Sequence, residues 1–231
     1  MGRGETNAPR DVCQHGRVLI HPWDRPVSDQ EWREVLLRFD FGQLIAPGGP
    51  DREVPVVVPT HFLYDGGALI ELHLATPNPV WRALAERPVA LFSVVADYVY
   101  VPAAVNAAPA SDPVVGVPTS YYATVQARVD AEVVDDPDAK TDLLTRQLAH
   151  FEPAGSVRQP VSTSVEGDRR QLSGIRGLRL TIRGVQAKFK YGGNKDVVHR
   201  LDIAEALAAR GGPMDEAARR RLLERTPPAS S

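Results

Sequence analysis

Apolar residues recur along this chain in two periods, and the periods assign its elements. Trp32, Val35, Leu36 and Phe39 fall at helical spacing behind Ser28-x-x-Glu31, a capping box, so the pattern predicts an amphipathic helix over 28–39. Short strands are predicted at 42–46, 54–58 and 69–74, with Asp65-Gly66-Gly67 as a hairpin turn between 61–64 and the last of them. Asn78 is placed to cap a short helix that Pro79 opens and that runs to Glu86. Residues 89–101 are apolar enough for a buried strand or a bent pair, and 119–134 form the longest strand candidate. Asp136 and Pro137 start a helix running to about His150, and 177–188 alternate as a strand. A helix after Asn194 stops at Gly211-Gly212-Pro213. The stretches 102–118 and 153–170 lack periodicity and read as long loops.

Six or more strands with short hairpins, interrupted by a few helices, fit a small antiparallel barrel better than a doubly wound sheet. The expected class is mainly β with peripheral helices. A polar stretch over 1–20 reads as a disordered leader, 21–212 as the barrel domain, and 213–231 as a short basic helix with a disordered tail. At 231 residues and 43% apolar content the chain can bury one substantial core. A net charge of −2 argues against wholesale binding to phosphate backbones, and Arg219-Arg220-Arg221 reads as a solvated helix face. No nucleic-acid partner is expected. The single cysteine, Cys13, excludes an intrachain disulfide and a cysteine zinc site. No apolar run reaches transmembrane length and no signal segment is present, so a soluble, cytoplasmic protein without a membrane partner is expected. Met1-Gly2…Thr6 fits a loose myristoylation pattern and is read as chance. The nucleotide loops and the zinc-protease HExxH motif are absent.

Candidate chemistry concentrates in two places. Lys188 and Lys190, two apart on a strand, share one face; Gly192-Gly193 then break the strand, and a helix reopens carrying His199 and Arg200. Two cations and a helix N-terminus make a seat for an anion. Asn194 reads as the cap of that helix, with Arg200 within possible reach of the same anion. The second place is Val58-Pro59-Thr60-His61-Phe62, which sets a histidine on an apolar strand, either as a metal ligand or as a core histidine. His73 is the rival ligand. Tyr98, Tyr100, Tyr121 and Tyr122 offer flat walls suited to a planar cofactor or to a dimer interface. Trp81 reads as core, while His15, His21 and His150 read as surface or element-end residues.

Four segments carry a resemblance. They are His73-Leu74-Ala75-Thr76-Pro77-Asn78-Pro79-Val80-Trp81, Asp97-Tyr98-Val99-Tyr100-Val101-Pro102, Gly116-Val117-Pro118-Thr119-Ser120-Tyr121-Tyr122 and the stretch 188–200. In order and spacing they resemble the PaiB-like family of split β-barrels, usually labelled FMN-binding negative transcriptional regulators. The resemblance spans roughly 20–212 and implies a homodimeric split barrel with a planar cofactor between subunits. Three departures weaken the flavin site it implies. Thr76 stands where the family pattern has a basic residue, Ser120-Tyr121 replace a Trp-Asn pair, and Gly192-Gly193-Asn194 replace Ser-Gln-Asn.

In keeping the frame while losing flavin contacts, the chain resembles an offshoot of the family, the haem-dependent piperazate synthases. These cyclise N5-hydroxy-L-ornithine by forming an N–N bond, with a histidine as axial ligand. The resemblance implies haem b held by His61, with FMN as the alternative cofactor and an oxidoreductase or regulator as the alternative function. It implies cofactor contacts from His61, His73, Thr76, Asn78, Tyr98, Tyr121, Lys188, Asn194 and Arg200. Lys188, Lys190 and Tyr122 are then the candidates for the base and for gripping the carboxylate of an amino-acid substrate.

Overall fold

The structure, a computed structural model, describes residues 18–109 and 111–227. Seven strands form one antiparallel sheet: β1 (Phe41–Ala46), β2 (Val56–His61), β3 (Leu63–Tyr64), β4 (Leu69–Ala75), β5 (Val89–Val101), β6 (Thr119–Val134) and β7 (Ile175–Lys190). Their spatial order is β2-β1-β5-β6-β7-β4-β3. The two edge strands, β2 and β3, are consecutive in the chain with Phe62 alone between them, so the sheet curls until its edges meet. That closure makes the split β-barrel expected from the strand pattern. At the seam the Phe62 N–H donates to the Asp40 carbonyl at 2.9 Å. The Phe62 ring packs edge-on against Phe92 inside the barrel, centroids 4.8 Å apart.

Alternate residues fill the interior: Leu44 and Ala46, Ile70 and Leu72, Phe92 and Val94, Ala123 and Val125, Leu178 and Leu180 are all buried. Their neighbours point outward, which sets the faces used below. The helices are α1 (Asp29–Arg38), α2 (Val80–Glu86), α3 (Ala103–Asn106), α4 (Pro137–Phe151), α5 (Glu166–Ser173), α6 (Val197–Arg210) and α7 (Asp215–Glu224). Strands β5 and β6 have the bounds the apolar pattern predicts. The pattern stops β2 too early, because Pro59 and Thr60 interrupt its apolar run while the backbone continues pairing with β1 as far as His61. The stretch 102–118 holds α3 and a 3-10 turn, and 153–170 runs into α5. The predicted capping box does not form among the described residues: Glu31 accepts from the Val27 N–H at 2.8 Å rather than from that of Ser28, and the Ser28 side chain makes no cap bond.

Two expectations change at the margins of the barrel. Arg221 is buried rather than solvated, because β5 carries a buried carboxylate that requires counter-charge. Asp97, at a bulge with φ of 50°, pairs with Arg38 of α1 and lies 3.5 Å from Arg221 of α7. Ala218 and Leu222 of α7 are part of the core, so the C-terminal helix is not an appendage. At the other end, Val18 donates to the Gln186 side chain at 3.1 Å and residues 18–20 lie along β7. The leader reading of 1–20 therefore fails over its last residues. Residues 1–17, with Cys13 and His15, and the tail 228–231 lie outside the described residues. Among the described residues, no helix is long and apolar enough to cross a membrane.

Candidate functional site

On the outer face of the barrel, α4 lies across β4 and β7. Gly177 of β7 permits this approach, since a Cβ there would sit 3.1 Å from Val134 and 3.2 Å from Leu143 of the helix. Beyond that contact the helix lifts away, leaving a cavity of about 400 Å³. Its apolar wall is Leu144, Leu148 and Phe151, one stripe of α4. Its barrel side is His61, His73 and Asp40. The two histidines come from β2 and β4, strands at or next to opposite edges of the sheet, and meet because the barrel closes. Their rings lie edge to face with centroids 5.1 Å apart, and Phe151 packs against His61 at the same distance.

The environment keeps His61 uncharged. Burial lowers its pKa below the ordinary imidazole value, His73 lowers it further, and Asp40 opposes in part. His73 is fixed by α4: its Nδ1 lies 2.6 Å from Gln147 Oε1, while Gln147 Nε2 donates to the Glu71 carbonyl at 3.2 Å. Glu71, on the same outward face of β4, is itself held by Arg146 at 2.7 Å and Arg179 at 3.2 Å. His73 and Gln147 are thus rigidly mounted. Gln147 and Asp40 were not singled out from the sequence. Gln147 had a signal, since a glutamine seven residues after Lys140 on a buried helix face needs a specific partner.

The lysine end of β7 is arranged differently. His73 pairs with Gly177, and Lys188 lies eleven residues further along the same strand, about 35 Å away along it at ~3.3 Å per residue. The two lysines do share the outer face, but their charges are engaged locally. Lys188 is buried, donates to the Leu19 carbonyl at 2.9 Å and sits 5.9 Å over the Tyr122 ring. Lys190 donates to Thr119 Oγ1 at 2.9 Å. The helix N-terminus is occupied too: Asp196, not Asn194, caps α6, its carboxylate accepting from the His199 N–H at 2.8 Å. Asn194 is exposed in the preceding turn. The anion seat is filled by the chain's own carboxylate.

The remaining candidates separate likewise. Arg200 is buried and donates to the Leu222 carbonyl at 3.4 Å and the Arg225 carbonyl at 2.6 Å, so it serves the C-terminus of α7. Tyr121 faces the barrel interior with 1% exposure and its hydroxyl makes no hydrogen bond among the described residues, so it is no wall of an outer slot. Burial raises its pKa to about 12. Tyr191 lies beside it, centroids 6.0 Å apart, and burial raises its pKa further. Tyr98 and Tyr100 are exposed on β5. Thr76 is exposed and donates to the Ser173 carbonyl at 3.3 Å; Asn78 accepts from the Val80 N–H at 3.0 Å, the capping role predicted for it. Neither lines the histidine cavity. Trp81 is buried, His21 stacks on Trp23 at 4.8 Å, and His150 ends α4.

Residues 23–184 match the family described as "Putative FMN-binding domain". The chain belongs to that family. A search among curated proteins gives no significant match. Among solved structures, the FAD and haem binding protein from Mycobacterium smegmatis superposes with a TM-score of 0.56 at 24% identity, covering 81% of this chain and 80% of its own. The flavocytochrome Anf3 from Azotobacter vinelandii gives 0.53 at 19% identity, covering 71% of this chain and 68% of its own. At these identities the two superpositions establish the barrel fold.

Proposed function

We propose that the chain is a haem-binding enzyme in which His61 supplies the axial nitrogen. The observation that carries this reading is the cavity under α4, where an uncharged imidazole on a rigid strand end faces an apolar wall. That donor set fits haem b, which asks for a neutral nitrogen and a dry face. Among the described residues neither lysine nor arginine lines the cavity, so the anionic tail of either group, haem propionates or an FMN phosphate, would lie outside it. The fold itself admits either group, since the Mycobacterium smegmatis relative is named for both FAD and haem. Phe41, opposite His61 in the β1–β2 register, is exposed on the same face and suits coverage of the slot by a second copy of the chain.

The reaction we attach to this site is ring closure of N5-hydroxy-L-ornithine by N–N bond formation. Its support is the Val58–Phe62 motif and the PaiB-like frame, which resemble the haem-dependent piperazate synthases. Bound haem would supply a Lewis acid for the hydroxylamine oxygen. The chain's own residues hold and shield: His61 anchors, the α4 stripe excludes water, and the cavity fixes the amine near the nitrogen it attacks. The N–O bond breaks as the N–N bond forms, one amine proton is released, and the departing oxygen leaves as water. The reaction is redox-neutral overall.

The second reading is an FMN-dependent oxidoreductase or a flavin-dependent PaiB-like regulator, favoured by the family itself. The absorption spectrum of the purified protein separates the two. A haem Soret band that disappears in His61→Ala supports the first reading; flavin bands in its place overturn it. Given haem, incubation with N5-hydroxy-L-ornithine should yield a product lighter by one water, and an unchanged substrate would reject the reaction.

A further inference from the structure

Two hydrogen bonds of Gln147 determine what the cavity can recognise. A backbone carbonyl only accepts, so the Gln147 nitrogen must face Glu71 and its oxygen must face His73. An amide oxygen only accepts, so the hydrogen between it and His73 belongs to the imidazole Nδ1. In the neutral ring Nε2 is then a bare acceptor, and it makes no hydrogen bond among the described residues. Asp40, which lines the same side together with His61, is an acceptor as well. Gln147 gives one of its two amide hydrogens to the Glu71 carbonyl, and among the described residues no lysine or arginine lines the space. The neutral His61 ring keeps one N–H of its own, but the side of the cavity formed by His73 Nε2 and Asp40 accepts only, and a ligand group bound there must bring the hydrogens.

We propose that His73 Nε2, with Asp40, is the acceptor that binds and orients an amine or ammonium group of the ligand, and that Gln147 is the positioning residue that keeps Nε2 bare. The lysines at the far end of β7 have no part in this contact. The inference deepens the reading above by assigning the amine-bearing end of the substrate to this cavity, and it rests on that reading only for the identity of the amine.

The test uses the cofactor-free protein at pH 8 with 15N-labelled histidine, reading the tautomer of each ring from long-range 1H–15N correlations. His73 is expected in the Nδ1–H form in the parent protein and in Gln147→Glu, whose carboxylate also accepts. In Gln147→Leu the preference should relax toward Nε2–H. Adding L-ornithine as the amine probe should shift the His73 Nε2 resonance in the parent, with a half-saturation at least about tenfold higher in Gln147→Leu, as befits one lost hydrogen bond. An Nε2–H tautomer in the parent overturns the proposal, and so does an Nε2 resonance indifferent to ornithine. Neither readout needs haem. A protein that passes both yet purifies with flavin would reject the haem reading and leave this contact standing.

Discussion

The two ends of β7 carry similar chemistry to opposite ends. At the lysine end the conspicuous cations and the helix N-terminus are consumed by structure: Leu19, Thr119 and Asp196 answer them one by one. At the histidine end His73 is equally fixed, but from behind by Gln147, so its open side faces a cavity. Charge density in a sequence therefore marks a site poorly. What distinguishes a binding surface is a polar atom held rigidly by one partner and left free toward space.

Four measurements would break or sharpen this contrast. The largest effect is expected from cofactor content: His61→Ala should abolish the Soret absorbance, whereas Lys188→Ala and Lys190→Ala should leave it unchanged. Loss of haem in a lysine variant would return the far end to the site. Next comes Gly192→Ala at the lysine end, where φ is +66° and an added Cβ would run into the Tyr121 hydroxyl. Roughly 2 kcal/mol or more should be lost in denaturant unfolding, and Tyr121→Phe should restore part of it by removing the obstructing oxygen. Full stability in Gly192→Ala would mean the turn is as loose as its sequence suggests.

The third is an alkaline titration of stability. Tyr121 keeps its proton in the fold up to about pH 12 but loses it near the ordinary value of 10.0 when unfolded. Its contribution is therefore complete below pH 10 and lost as pH rises toward about 12, on the order of 2–3 kcal/mol in all. Tyr121→Phe should lessen that decline, leaving the part that the more strongly shifted Tyr191 contributes over the same range, and cost little at pH 7, because the hydroxyl has no partner to lose among the described residues. A decline of unchanged steepness after the substitution would assign all of it to other groups. The smallest effect separates the two cap candidates: Asp196→Ala should cost about 1 kcal/mol and Asn194→Ala less than ~0.5 kcal/mol. Equal costs would mean that both residues hold the turn.

The strands and helices were legible wherever apolar periodicity ran without interruption, as in β5 and β6. The residues of the candidate site were half legible. His61 stood out because it follows three valines, and His73 through its family segment, but that the two meet depends on strand order, which no local pattern encodes. The lysines misled for the same reason: the carbonyl that binds Lys188 lies 169 residues away in sequence. Asp97 shows the cost of reading charges singly. At the bulge where it is buried, Asp97 meets Arg221, whose helix α7 also packs Ala218 and Leu222 into the core.

The seam at Phe62 has a consequence for how this site could ever vary. Because β2 and β3 close the barrel through a single intervening residue, inserting or deleting one position near it would disturb both edges at once. Side chains alternate along a strand, so slipping β2 by one place would carry Thr60 outward and turn His61 into the barrel. The imidazole has two addresses and no gradation between them. Its neighbourhood can be tuned by substitution on α4, but its own position can only be kept or abandoned.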